Sequence, residues 1–272
     1  MPFDVVGYYE DRTGTTTFTP VAALADDVHT VSGDDITVPS GFQQVMAAYA
    51  VLSNATDVLN GAMIQSPSLR ATSNIEIVDY DYIAAGSAYT PVAAAAPIFE
   101  NFLAGVQSPR TLVAGEKMNF YVRSSAATAN DLISAAVFLG DGNYKNDYFG
   151  LPVETLEFTA SAAAVANTWT TQALSPTNQT LRAGRYAIVG MHSKSTTGKV
   201  ARLILKEGGV QRPGCLMTGN LYRSRGAPLF RQGNLGVWGT FTHDNPPSAE
   251  AWALTTDAAA TFHHYLDIVK IQ

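Results

Sequence analysis

One cysteine and five histidines are the side chains best suited to nucleophilic or metal chemistry in this 272-residue chain. Cys215 follows Pro213-Gly214, and either His192 or His243 would have to serve as its base. Only Arg212 stands nearby in sequence to depress its pKa, which is too little to hold a thiolate. A small hydrophobe on a buried strand is the expected role. His263-His264 is an adjacent pair, and neighbours on a strand point to opposite faces, so the two rings do not chelate one ion without a bulge. The run Asp141 to Asp147 (DGNYKND) sets oxygen ligands at alternate positions, as a calcium loop does. Asn146 and Pro152 stand where such a loop needs Gly and Glu, so a polar turn is expected. No His-Glu-x-x-His, Gly-x-Ser-x-Gly, Walker, Cys-x-x-Cys or Rossmann glycine pattern is present. The chain reads as a non-enzyme that uses no cofactor or metal.

What remains is charge. The net value of −6 argues against bulk nucleic-acid affinity, but its distribution is uneven. Residues 1–110 carry three basic side chains against twelve acidic ones, whereas 182–243 holds ten basic side chains and one acid, Glu207. Five of the ten, Arg182, Arg185, Lys194, Lys199 and Arg202, fall within Thr180–Leu205 and mark a candidate contact surface. Its chemistry suits an acidic neighbour, a phosphate backbone or lipid headgroups.

Charged residues make up 15% of the chain, well below the usual quarter, and Ala, Thr, Ser, Asn and Gly take their place. Such a neutral polar surface suits a protein covered by copies of itself. With a single cysteine the chain forms no internal disulfide, so packing must hold the fold. The opening MPFDVVGYYEDR lacks a basic segment followed by an apolar one, and the longest apolar run, Pro91–Phe99, is about half of what spans a bilayer. The expectation is cytoplasmic synthesis with neither signal peptide nor transmembrane segment.

The elements that would carry these residues are strands. Val45–Leu52 and Ile133–Leu139 are continuous apolar runs, as doubly buried strands are. Further strands are expected at Ala62–Gln65, Asn74–Tyr82, Lys117–Arg123, Val153–Thr159, Arg185–His192, Val200–Lys206, Cys215–Thr218, Leu235–Thr242, Ala251–Leu254 and Phe262–Ile271. Pro91–Gly105 is the helix candidate. Residues 1–35 read as an N-terminal arm with one or two edge strands, Pro213-Gly214 as a turn, and Ser161–Asn167 as a domain boundary. Many short strands separated by Gly, Pro and Asn give an all-β sandwich or barrel with one or two short helices.

Three glycine turns recur before strands: Pro39-Ser-Gly41, Val113-Ala-Gly115 and Arg182-Ala-Gly184, the glycines 74 and 69 residues apart. Leu112-Val-Ala-Gly115, Leu181-Arg-Ala-Gly184 and the strands around Val45–Leu52, Ile133–Leu139 and Val200–Leu205 resemble viral jelly-roll coat proteins. The nearest type is the small double-jelly-roll major capsid protein of bacterial and archaeal icosahedral viruses. The resemblance implies two tandem jelly rolls, 36–160 and 161–272, behind the arm 1–35. Equivalent strands of two barrels should recur at about half the chain, so the glycine spacing leaves a single elaborated barrel open and makes the three stretches similar hairpins at non-equivalent places.

The implied function is a structural virion protein: a capsid subunit that self-assembles into trimers or higher capsomers and a shell. Its partners would be copies of itself, other virion proteins and, through 182–243, the genome or an internal membrane, with no small-molecule substrate. The alternative is a lectin-like or receptor-binding β-sandwich module, with Trp169, Trp238 and Trp252 as a stacking platform.

Overall fold

The computed structural model describes residues 3–25, 29–53, 59–69, 78–79, 110–127, 129, 131–141, 148, 150–160, 170–177, 180–195, 200–207, 210–218, 237, 239–252 and 262–272. The expected helix at 91–105 and most of the expected strand at 74–82 lie outside these residues, as does most of the turn at 141–147. The chain divides into two compact units, one of residues 4–142 and one of 143–272 with residues 1–3. Most of what is described is strand, with almost no helix, and the described strands pair antiparallel.

The first unit contains β1 (Phe3–Arg12), β2 (Thr19–Pro20), β3 (Val31–Ser32), β4 (Asp35–Thr37), β5 (Gln44–Ser53), β6 (Leu59–Gln65), β7 (Val78–Asp79), β8 (Arg110–Thr111), β9 (Lys117–Ser124) and β10 (Asp131–Gly140). They form one sheet in the order β1-β10-β5-β8 and a second in the order β3-β4-β9-β6-β7, with β2 added to β9. In β9 the alternation of the sequence becomes an alternation of burial: Met118, Phe120, Val122 and Ser124 are buried while Lys117, Asn119, Tyr121 and Arg123 are more open. On β1, Tyr8 meets Phe120 with ring centroids 5.5 Å apart and donates its hydroxyl to the Met118 carbonyl at 3.3 Å. That pair joins the two sheets into a sandwich. The apolar run in β10 is buried throughout, from Ile133 and Ala135 to Leu139.

The first residues form an edge strand, as expected, and that strand is packed into the first unit. Val5, Val6 and Tyr8 are buried, and β1 fills the edge beside β10. A strand with apolar side chains on both faces is stabilised by being covered, which the acidic composition of the segment obscured.

The second unit contains β11 (Glu154–Ala160), β12 (Thr170–Pro176), β13 (Arg185–Ser195), β14 (Val200–Glu207), β15 (Val210–Thr218), β16 (Gly239–Thr242), β17 (Ser248–Trp252) and β18 (Phe262–Lys270). One sheet runs β15-β14-β17-β12-β11-β18-β13-β16 and curls into a half-barrel, bringing β15 beside β13 and β14 beside β16. Leu156, Phe158, Ile188, Leu266 and Ile268 are buried on one face, where Leu156 sits opposite Leu266 and Ile188 opposite Ile268. On the opposite face Ala187, Val189, Val237 and Val269 form a second cluster with Tyr148 and Ile271. Pairing with both β12 and β18 places β11 in this unit, so the units part at 142/143, ahead of the expected 160/161.

The two units repeat one strand order. Counting β1, β4, β5, β6, β7, β8, β9 and β10 as first to eighth, one sheet runs first-eighth-third-sixth and the other second-seventh-fourth-fifth. Counting β11 to β18 the same way gives the same two orders, here joined through β11 and β12. Within each unit the strand after the glycine turn and the strand that follows it are not partners: β5 pairs with β10 and β8, β13 with β18 and β16. The stretches that follow Gly41, Gly115 and Gly184 are therefore crossings between sheets or half-sheets, where the sequence reads as hairpins.

Pro213-Gly214 is also not a turn. It lies inside β15, where the pairing with β14 shifts between Arg202 and Ile204, and the chain reverses between Glu207 and Val210. Proline lacks a ladder donor and is tolerated at a bulge on a terminal strand. Among the described residues no helix is long and apolar enough to cross a membrane.

Candidate contact surface

The basic stretch begins in the turn before β13. Gly184 has φ +152° and sits against the end of the chain. A Cβ there would lie 2.3 Å from the Gln272 carbonyl oxygen and 2.6 Å from Lys270 Cε. Only glycine admits that approach. Around it, Arg185 N donates to Gln272 O at 3.1 Å, Ile271 N to Arg185 O at 2.8 Å, and His243 N to Gly184 O at 3.0 Å. Tyr186 Oη donates to the Arg182 carbonyl at 2.7 Å, and its ring stacks on Phe241 with centroids 5.5 Å apart. Arg185 Nη2 reaches Thr240 Oγ1 at 2.9 Å. Arg182, Arg185 and Lys270 are all exposed on this fixed backbone, and Tyr186 faces Lys270 across the ladder.

The four candidate cations whose backbone is described are spread along the sheet. Arg182 and Arg185 stand at the start of β13, and Lys194 is nine residues along the same strand opposite His263, roughly 30 Å away at the usual rise. Arg202 lies on β14, in the other half of the sheet, in register with Glu250 and Leu216. Lys199 lies outside the described residues, and so do the side chains of Lys194 and Arg202. Arg182 and Lys270 do come together at one depression, while Arg185 is turned to the other face at Thr240. The sequence reading missed Lys270, whose only signal was its place at the end of the last strand.

That depression, of about 570 Å³, is lined by Glu154, Thr155, Thr180, Arg182, Tyr186 and Lys270 among others. Above it along the chain, Leu151 and Val153 are exposed on the segment leading into β11. Charge separates by unit as well. Residues 4–142 hold five basic and fifteen acidic side chains, net −10, and the other unit twelve basic and eight acidic, net +4.

Elsewhere, polar groups act as staples. Glu116 accepts from Ser68 N at 2.9 Å, Ser68 Oγ at 2.7 Å and Val113 N at 2.8 Å. Burial raises its carboxyl pKa, and these hydrogen bonds outweigh it and hold the group below its ordinary value. Buried His29 Nε2 lies 3.0 Å from Asp4 Oδ2, and Ser124 donates to buried Asp131 at 2.9 Å. Of the histidine pair, His263 is half-buried with Nδ1 2.7 Å from Glu157 Oε1. His264 is fully buried on the opposite face, and burial, with a smaller contribution from His263, lowers its pKa to about 3. Among the described residues no group of three or more His, Cys, Asp or Glu is placed to hold a metal ion. The side chains of Cys215, His192 and the three tryptophans lie outside those described.

Neither a protein-family model nor a curated protein matches this sequence. Fold and surface chemistry therefore carry the functional reading.

Proposed function

We propose that the chain is a structural virion protein, a capsid subunit of two tandem jelly rolls that assembles with copies of itself into trimers or higher capsomers and a shell. The observation that carries this reading is the strand order. A jelly roll is eight strands in two sheets made of two Greek keys, and the order first-eighth-third-sixth over second-seventh-fourth-fifth occurs once in each unit. Two such units in one subunit supply two similar building faces for tiling. A surface poor in charge lowers the desolvation cost of large lateral contacts. The opposite net charges of the units favour packing of unlike units from different copies. Arg182 and Lys270 supply a basic site for an acidic neighbour, other virion proteins, the genome or an internal membrane. Light scattering across a concentration series tests the assembly: trimers or larger species support it, and a strict monomer at every concentration counts against it.

A further inference from the structure

The depression beside β13 is open and polar, lined by exposed Glu154, Arg182 and Lys270. Its volume of about 570 Å³ falls within the range of small-molecule sites. Two cations, Arg182 and Lys270, line it together with one carboxylate, Glu154, and with Thr155 and Thr180. Thr155 Oγ1 donates to the buried carboxylate of Asp267 at 2.5 Å on the other face of the sheet, which leaves Glu154 as the acceptor that shares a face with Lys270 and Tyr186. The cations hang from a set backbone. Tyr186 pins the Arg182 carbonyl from below, and the missing Cβ of Gly184 lets the end of β18 lie against the turn. Fixed supports of this kind make a site selective.

Its charge pattern narrows the ligand. Two cations against one carboxylate leave a net +1, which matches a monoanion. A phosphate dianion would meet Glu154, and a neutral sugar would desolvate the cations without pairing them. A carboxylate fits the planar fork of an arginine, while ring hydroxyls donate to Glu154. We propose that this depression binds a hydroxylated carboxylic acid the size of one sugar ring, a hexuronate. The site stands whether or not the chain builds a shell.

Ligand-observed NMR titration of the full chain with glucuronate, glucose and glucose 6-phosphate tests it. Glucuronate is expected to bind, with the other two at least about tenfold weaker. Arg182→Ala and Lys270→Ala each weaken glucuronate by about tenfold or more, and Arg182→Lys, which keeps the charge and loses the fork, falls between. Lys117→Ala, on the other unit, leaves binding unchanged, and melting temperatures report folding of every variant. No glucuronate binding, glucose 6-phosphate binding more tightly, or Arg182→Ala and Arg182→Lys both binding as the parent does would overturn the proposal. None of these results bears on assembly, which light scattering reads separately.

Discussion

Val45 and Ile188 occupy the same place in the two units. Each lies four residues after a positive-φ glycine, Gly41 or Gly184. Each pairs with the eighth strand of its unit, Val45 with Leu139 and Ile188 with Ile268, and the register then skips one residue, Met46 or Val189. A bulge at the same step after the same turn, on the same strand of both units, is the most local sign that the strand order is repeated. Bulges re-aim a strand and are retained as features of a fold.

The two glycines should not tolerate substitution equally. At Gly41 a Cβ meets open space, so Gly41→Ala carries only the cost of φ +90°, about 1–2 kcal/mol. Gly184→Ala adds a collision with the Gln272 carbonyl and should cost clearly more. Urea unfolding of both variants checks the order, and an equal loss would refute the close approach.

Phe120→Ala and Phe158→Ala each remove a fully buried ring, one in each unit. The expected loss is about 3–5 kcal/mol for either. Calorimetry should show Phe120→Ala acting on the unit of residues 4–142 and Phe158→Ala on the other, resolved by proteolysis of the weakened unit first.

Glu116 gives a pH dependence with a definite sign. Its folded pKa is lowered, so its contribution is complete at neutral pH and is lost as pH falls through the folded value. Glu116→Ala should cost about 1–2 kcal/mol at pH 7, the half-exposed carboxylate being partly screened. The gap to the parent should close in acid. A gap that stays constant down to pH 3 would contradict the assignment.

His264 behaves in the same direction for a different reason. Its pKa is about 3 in the folded protein and about 6.5 unfolded, so the unfolded chain takes up a proton that the folded one refuses. Stability should therefore fall as pH drops from about 6.5 toward 3. The His264 ring resonances should stay at their neutral positions from pH 7 to pH 5, and titration within that window would overturn the buried, neutral assignment.

Strands were legible wherever one local pattern decided burial. The alternation Met118, Phe120, Val122 located β9, and the apolar run from Ile133 to Leu139 located β10. Partners were not legible, because pairing is non-local. Gly41, Gly115 and Gly184 looked like one series at 74 and 69 residues, but Gly41 and Gly184 are the equivalent pair, 143 residues apart and near half the chain. Gly115 leads into β9, the seventh strand, where its likeness is that of a turn. Pro213-Gly214 reads as a turn in isolation and becomes a bulge only because β14 runs alongside. The surface was legible as a charge run, but a run along a sequence is spread over strands by the sheet. Arg182 and Lys270 line one depression although 88 residues separate them, while Arg202 is carried to the other half of the sheet.

The central claim is that two repeated barrels build a self-assembling subunit, and electron microscopy of the purified protein tests it most directly. Trimeric or larger capsomers, or closed shells, are the expected images; a field of dispersed monomers under all salt and concentration conditions would contradict the account.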